Sequence, residues 1–514
     1  MSPAITLSPI DEHNVDLVQQ VHPEDWKNPE PPDMYHLVVI GGGTAGLVTA
    51  AGAAGLGARV ALVERLLLGG DCLNFGCVQS KALIASARQA AALRRGADFG
   101  ISSSDPVVDF AAVMARLRRL RAGMARHDSA ARFASLGVDV FFGQASFAGA
   151  GRVAVGGTEL RYRKAVIATG ARASAPRIPG LDQVPYLTNE SLFALTELPK
   201  RFAVIGAGPI GCEMAQCFAR LGSEVFLVES MPGILPRDDR DAAAIVRNRL
   251  QQDGVRVLCC GKELRLSRGE GGRVRLQVES DGQGYDITVD RLLVAAGRAP
   301  NVEGLNLEAV GVAHDARGVT VDARLRTTNK RIFACGDICS PLQFTHNADF
   351  QARLVIQNAL FLGRKKSSSL VIPWCTYTSP EIAHVGLDEK DARAQGIEVT
   401  TFTQPLAEVD RAILDGETDG FVRVHVRAGT DTIVGATVVA EHAGDLISEI
   451  TLAMTHQIGL AQIAATIHPY PTQADAIRKL GDQYNRTRLT PRVKHLMARW
   501  LAAQLRFPFL RETD

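Results

Sequence analysis

Two stretches of this chain, residues 37–64 (LVVIGGGTAGLVTAAGAAGLGARVALVE) and residues 202–229 (FAVIGAGPIGCEMAQCFARLGSEVFLVE), repeat one plan without a gap. Each reads as an apolar strand, a GxGxxG turn, a small-residue helix ending near glycine, a second β-branched strand and a closing glutamate 23 positions after the first glycine. This is the pattern of a βαβ unit that holds a dinucleotide. Gly41 and Gly206 permit the tight turn, Gly43 and Gly208 let the backbone reach a pyrophosphate, and Gly46 and Gly211 let helix and strand pack closely. The helix N-terminus then stabilises the anion. Glu64 and Glu229 are placed to accept hydrogen bonds from ribose hydroxyls, and an acid there repels a 2′-phosphate. A lone GxGxxG is weak, since such turns also arise for purely structural reasons. Two copies with strand, helix and acid in register point to two dinucleotide sites, against the blander reading that one copy survives as scaffold.

A chain of 514 residues has room for about three domains. With 57 Lys and Arg against 55 Asp and Glu, its net charge of +2 gives no general drive toward nucleic acid or anionic lipid. The first 34 residues lack the basic region and apolar core of a secretory signal, so a cytoplasmic location is expected, and no stretch reads as a membrane span. Neither a membrane nor nucleic acid is expected as a partner. Nine cysteines, an odd number in so long a chain, are no disulfide framework; any functional pair is then catalytic.

Further apolar strands end in small-residue turns: KAVIATGAR, RLLVAAGRAPN and RIFACGDI. They put Thr169, Gly170, Gly297 and Asp337 at strand carboxyl ends, where open α/β sheets bind ligands, and so make them candidate cofactor contacts. The polar run RKKSSS from Arg364 marks a linker, after which strands such as GFVRVHV and TIVGATVV and the helical run DLISEITLAMTHQIG suggest a mixed α+β unit. The most informative segment is GGDCLNFGCVQSKALIASAR from Gly69. Cys72 and Cys77 lie five positions apart, off one helical face, so bridging them needs an irregular first turn, which Asn74 and Gly76 can supply. A helix N-terminus favours the thiolate, and Lys81 adds a cation.

The succession GxGxxG, CxxxxC, ATG, GxGxxG, AGRxPN, GD and a C-terminal α+β unit resembles the class I flavoprotein disulfide reductases, the pyridine nucleotide-disulfide oxidoreductases, over residues 35–480. The resemblance implies an oxidoreductase with two Rossmann-like dinucleotide-binding domains plus a C-terminal α+β dimerisation domain. FAD would be held by residues 35–185 and 295–368, with an NAD(P) domain inserted at 186–294. An interface domain at 369–480 would build a homodimer, flanked by an N-terminal extension (1–34) and a C-terminal helical extension (481–514). It implies that Gly41, Gly43, Gly46 and Glu64 hold the FAD adenosine end and that Asp337 meets the ribityl chain. Lys81 and Glu213 would pair near the flavin, Cys77 would take its electrons, and Cys72 would attack the substrate.

In thiol-disulfide members of that family the partner subunit supplies a His in an HPT motif, followed by Glu. This chain reads HPYPTQAD, so Tyr470 stands at the His position and Asp475 at the Glu position. A phenol, with a reference pKa near ~10, is a poorer thiol base than an imidazole near ~6.5. The tyrosine resembles that of the mercuric reductase branch, although the C-terminal cysteine pair of that enzyme has no counterpart here. The expected reaction carries electrons from NADH or NADPH through flavin to the Cys72–Cys77 disulfide, and on to a small soft-metal or disulfide acceptor; Glu229 favours NADH, because no Arg follows it in ESMPG. Rivals are a dihydrolipoyl dehydrogenase or other small-disulfide reductase and, from another class, a flavin-binding interaction subunit with vestigial catalysis. Retention of both cysteines, Lys81 and Glu213 speaks against the last. Cys212, Cys217, Cys259 and Cys260 read as packing residues rather than a resident metal site. His468 reads as an interface residue before a substitute base, and the final basic segment as a solvated amphipathic helix with Trp500 on its apolar side.

Overall fold

The computed structural model describes residues 7–102 and 104–506; residues 1–6 and 507–514, the outermost parts of the two expected extensions, lie outside the described residues. Two compact units form, one running up to Pro236 and over Arg247–Leu370, the other comprising Arg237–Val246 and the chain from Val371 onward.

The first unit is organised by a seven-stranded sheet whose central strand, Tyr35–Ile40, lies parallel between Val60–Glu64 and Thr158–Ile167, with Val38 opposite Ala61 and Ala165. Where the three strands lie side by side, residues 37–40, 60–63 and 165–167 are continuous apolar runs because both faces are covered. Leu37, Val39 and Leu62 point to one core, and Val38, Ile40, Ala61 and Val63 to another. Much later in the chain, Ile332–Ala334 returns to lie parallel beside Thr158–Ile167, so the strand of the GD motif completes the sheet begun by the first GxGxxG. The second repeat builds a separate parallel sheet in the order Val255–Leu258, Glu224–Val228, Arg201–Ile205, Arg291–Val294, accompanied by an antiparallel layer, Lys262–Arg268, Val274–Ser280 and Gln283–Val289. Residues 174–297 leave and re-enter the first sheet's neighbourhood through two short antiparallel strands, Ala171–Ala173 and Arg298–Pro300.

The N-terminal segment is part of this unit's core. Helix Glu12–Val21 is capped by Asp11, whose carboxylate accepts from Asn14 N at 2.8 Å, and it contributes the fully buried Leu17 and Val21. Downstream, Asn28 pairs its amide with both backbone groups of Phe142 (2.9 and 2.8 Å), and Trp26 Nε1 donates to Val140 O at 3.1 Å. Side chains thereby satisfy backbone groups of the outer strand Val138–Phe142 that would otherwise form an open sheet edge.

The second unit is a five-stranded antiparallel sheet in the order Pro373–Thr376, Glu381–Gly386, Ile433–Ala440, Phe421–Arg427, Val399–Pro405, packed with helices Ala443–Thr455 and Asp475–Arg488 around an aliphatic core. Asp238, Asp239 and Asp241 of the 237–246 segment are tied to it by Trp374 Nε1 (3.1 Å) and the Arg423 guanidinium (2.6 and 2.9 Å). A last helix, Pro491–Arg506, buries none of its residues.

Candidate active site

The two glycine turns form matching clasps. Gly41 and Gly206 adopt φ values of +111° and +100°, open to glycine at little cost. A Cβ on Gly46 would overlap the Gly41 carbonyl, and one on Gly211 the Gly206 carbonyl, so helix and strand touch through these positions. Around Gly208 no protein atom lies within 4 Å of a Cβ built there, and around Gly43 only Gly70 Cα does, at 3.5 Å. Both helices, Thr44–Gly55 and Pro209–Leu221, begin without a side-chain cap, which leaves first-turn N–H groups for a phosphate. Each closing glutamate is held by its own turn: Glu64 accepts from Gly42 N (2.6 Å) and Leu66 N (2.7 Å), Glu229 from Ala207 N (2.8 Å) and Met231 N (2.9 Å). Each carboxylate keeps lone pairs for a ribose. Burial pushes the Glu64 carboxyl up, against the lowering effect of those backbone bonds. Each clasp therefore fits the pyrophosphate and ribose of a dinucleotide.

The CxxxxC segment is two helices rather than one irregular turn. Gly70–Asn74 carries Cys72, the chain breaks at Phe75 and Gly76, and Cys77 opens helix Cys77–Arg94. Cys72 is half-buried and Cys77 exposed, both as free thiols. They share a hydrogen bond that pulls Cys77 down to about 6, with partial desolvation by the surrounding protein opposing the effect and Thr345 and the Lys81 cation adding to it; the same bond and burial drive Cys72 well up. Both shifts favour the thiolate at Cys77 over one at Cys72. Thr345 Oγ1, at 3.6 Å from Cys77 Sγ, opens helix Thr345–Leu360 and carries no signal in the sequence.

Around the thiols, Lys81 Nζ meets Glu213 Oε2 at 2.8 Å, the carboxylate being buried. Asp71, next to Cys72, accepts from Asn189 Nδ2 (2.9 Å) and from Arg298 Nη2 (3.1 Å), and the same Arg298 lies 3.5 Å from Asp337. Burial raises the Asp337 carboxyl and Arg298 counters it. Thr169 turns its hydroxyl to Asn301 O (2.8 Å) and Gly170 sits at φ +65°, so both shape the crossover; Gly297, at φ +114°, faces Ser174 across the return strand. Behind the loop, Arg121 donates to Asn74 O at 3.0 Å and to Asn14 Oδ1, while Arg118 pairs with Asp11. The N-terminal helix is thereby connected to the residues between the cysteines, a link that sequence reading missed.

In the second unit Tyr470 is 74% exposed and donates to Asp410 Oδ2 at 2.9 Å, a bond that raises its pKa further. Asp475 is engaged by Arg478 (2.8 Å) and Lys479 (3.4 Å). Both ring nitrogens of His468 are occupied, Nδ1 with Thr466 O (3.0 Å) and Nε2 with Glu449 (2.9 Å), so this imidazole is anchored rather than offered as a base. Cys212, Cys217 and Cys259 are buried, and among the described residues no group of three or more His, Cys, Asp or Glu is arranged to hold a metal ion. No helix of the described residues is long and apolar enough to cross a membrane.

Two sequence families match the chain: "Pyridine nucleotide-disulphide oxidoreductase" over residues 35–352 and its "dimerisation domain" over residues 372–480. A mercuric reductase of Bacillus cereus is 35% identical over 445 residues, covering 86% of this chain and 70% of that protein. A dihydrolipoyl dehydrogenase of Thermus scotoductus is 34% identical over 453 residues, covering 87% and 97%. Among solved structures, the Cu(II) complex of the HOCl-induced flavoprotein disulfide reductase RclA from Escherichia coli superposes with a TM-score of 0.77 at 29% identity, covering 86% of this chain and 98% of that one.

Proposed function

The chain belongs to the pyridine nucleotide-disulphide oxidoreductase family, with FAD and NAD(P)H as cofactors, and on that premise we propose that it reduces a thiophilic metal ion through Cys72 and Cys77. Bound FAD supplies two-electron exchange between the nicotinamide and the thiol pair. Cys77, the member whose pKa is lowered, is the flavin-facing sulfur, and Cys72 is the outer sulfur that meets the acceptor. Glu213 fixes the Lys81 ammonium, and with it a positive charge that favours the Cys77 thiolate. Asp337 and Arg298 hold the turn of the GD motif toward the cysteine segment. Glu229 makes NADH the preferred donor.

The observation that carries the choice of acceptor is Tyr470. Its phenol is bound to Asp410, which raises its pKa further, so as the base that disulfide exchange requires it is poorer than the imidazole it replaces. A metal acceptor removes that requirement. The Cys72 thiol and the Cys77 thiolate give up two electrons and release the Cys72 proton to solvent as the disulfide closes, while one mercuric ion takes both electrons or two cupric ions take one each, and no leaving sulfur has to be protonated. The copper complex of RclA and the mercuric reductase relatives support this acceptor class. Through the dimerisation domain, Tyr470 of one subunit would serve the cysteines of the other.

The test is NADH oxidation by the FAD-loaded protein with Cu(II), Hg(II), lipoamide and glutathione disulfide in turn. A metal ion should support turnover with kcat/KM at least about a hundredfold above lipoamide, the scale of a lost general acid–base group. Lipoamide turnover equal to or above that of both metals would replace this reading with dihydrolipoyl dehydrogenase.

A further inference from the structure

The last helix, Pro491–Arg506, leaves apolar side chains uncovered: Leu496 is 68% exposed, Trp500 56% and Leu505 73%, with Met497 and Leu501 also exposed. Leu496, Met497, Trp500 and Leu501 recur at three- and four-residue spacing and so lie along one face, which is where a helix that packs into its own domain would be covered. Here that face stays open, and large exposed apolar patches mark a binding surface. The charges on the same helix are of one sign. From Gln483 to Arg506 there are six Lys or Arg and no Asp or Glu. Arg492, Arg499 and Arg506 repeat every seven residues and fall within about 40° of one line along the helix, on one flank of the apolar face, while Lys494 falls on the other.

We propose that this helix docks the protein on an anionic lipid surface, lying in the plane of the interface with Leu496, Met497, Trp500 and Leu501 turned into the acyl boundary and the arginines at the headgroups. An apolar face with Trp and Leu, flanked by basic residues, is the composition of an interfacial helix, and its length, about 24 Å, suits lying on a bilayer rather than crossing one. Charge decides between occupants. Pairing with the same helix of a second copy would set like-charged arginine rows together, whereas phosphatidylglycerol headgroups complement them. The expectation that no membrane partner exists rested on the lack of a span and on a net charge of only +2; a surface helix needs no span, and its basic residues are concentrated locally whatever the total.

The experiment is co-sedimentation of the full-length, FAD-loaded protein with vesicles of phosphatidylcholine alone and of phosphatidylcholine containing phosphatidylglycerol, with Trp emission followed in parallel. Binding is expected only to the phosphatidylglycerol vesicles, with a blue shift that disappears in Trp500→Phe. The double variant Arg492→Glu/Arg499→Glu should bind at least about tenfold more weakly, as should the wild type in high salt, with NADH-driven flavin bleaching unchanged in both. Two outcomes overturn the proposal: no binding to phosphatidylglycerol vesicles, or a change of oligomeric state in Trp500→Glu by analytical ultracentrifugation with no vesicle binding in the wild type, which would assign the apolar face to a second copy of the chain.

Discussion

Cys77 owes its acidity to a neighbour, since the Cys72 thiol donates to it before Lys81 or the helix N-terminus contributes. In the two-electron-reduced protein the thiolate-to-flavin absorbance band should therefore be present above pH 6 and fade as pH falls through about 6, because protonation then removes the donor. Cys77→Ser should abolish the band at every pH, and Cys72→Ser should keep it while moving its midpoint upward, since the donated hydrogen bond weakens. Equal loss in both variants, read by titration of the reduced spectra, would contradict the assignment of the two sulfurs. Glu229 makes a second claim at this scale. Fixed by Ala207 N and Met231 N, its carboxylate cannot easily withdraw from a 2′-phosphate, so kcat/KM should favour NADH, and Glu229→Gln should shrink that preference by about tenfold, ~1.4 kcal/mol. Steady-state kinetics with both donors measures it.

At the scale of elements, the helix Glu12–Val21 and the inter-cysteine residues are joined through Arg121. Arg121→Met would leave Asn74 O and Asn14 Oδ1 without this buried donor, and the FAD-loaded protein should lose about 2 kcal/mol or more of stability in thermal unfolding. Cys72 and Cys77 should also be alkylated faster, a change that a remote packing defect would not produce. The sequence carried the glycine clasps, the cysteine segment and the strand-ending turns, because close backbone approach and thiol chemistry demand particular residue types at fixed spacing. It did not carry Thr345, Asp410 or Arg121, whose roles arise only when distant elements meet: 268 positions separate Thr345 from Cys77. The break between Asn74 and Cys77 was legible as an irregularity but not as two helices, since the hydrogen bond from Phe75 N to Asp71 O that ends the first helix uses backbone alone. The N-terminal segment read as an appendage because its three buried aliphatic residues, Leu17, Val18 and Val21, make too short a pattern to announce a core.

For the whole molecule the question is how many chains complete one site. If Tyr470 serves the thiols of the other subunit, a mixed dimer of Cys72→Ser and Tyr470→Phe chains has one site with both lesions and one with neither, and should recover about half the wild-type activity per dimer. Activity no greater than the mean of the two parent homodimers would put both residues in one chain's site. A different consequence follows from the paired strands Ala171–Ala173 and Arg298–Pro300, where Ala171 faces Pro300 and Ala173 faces Arg298. Because residues 174–297 enter and leave through neighbouring strands, they form a cassette whose two seams lie side by side. Such a cassette could be replaced at those seams without re-threading the first sheet, leaving the segment that carries Cys72 and Cys77 as it is.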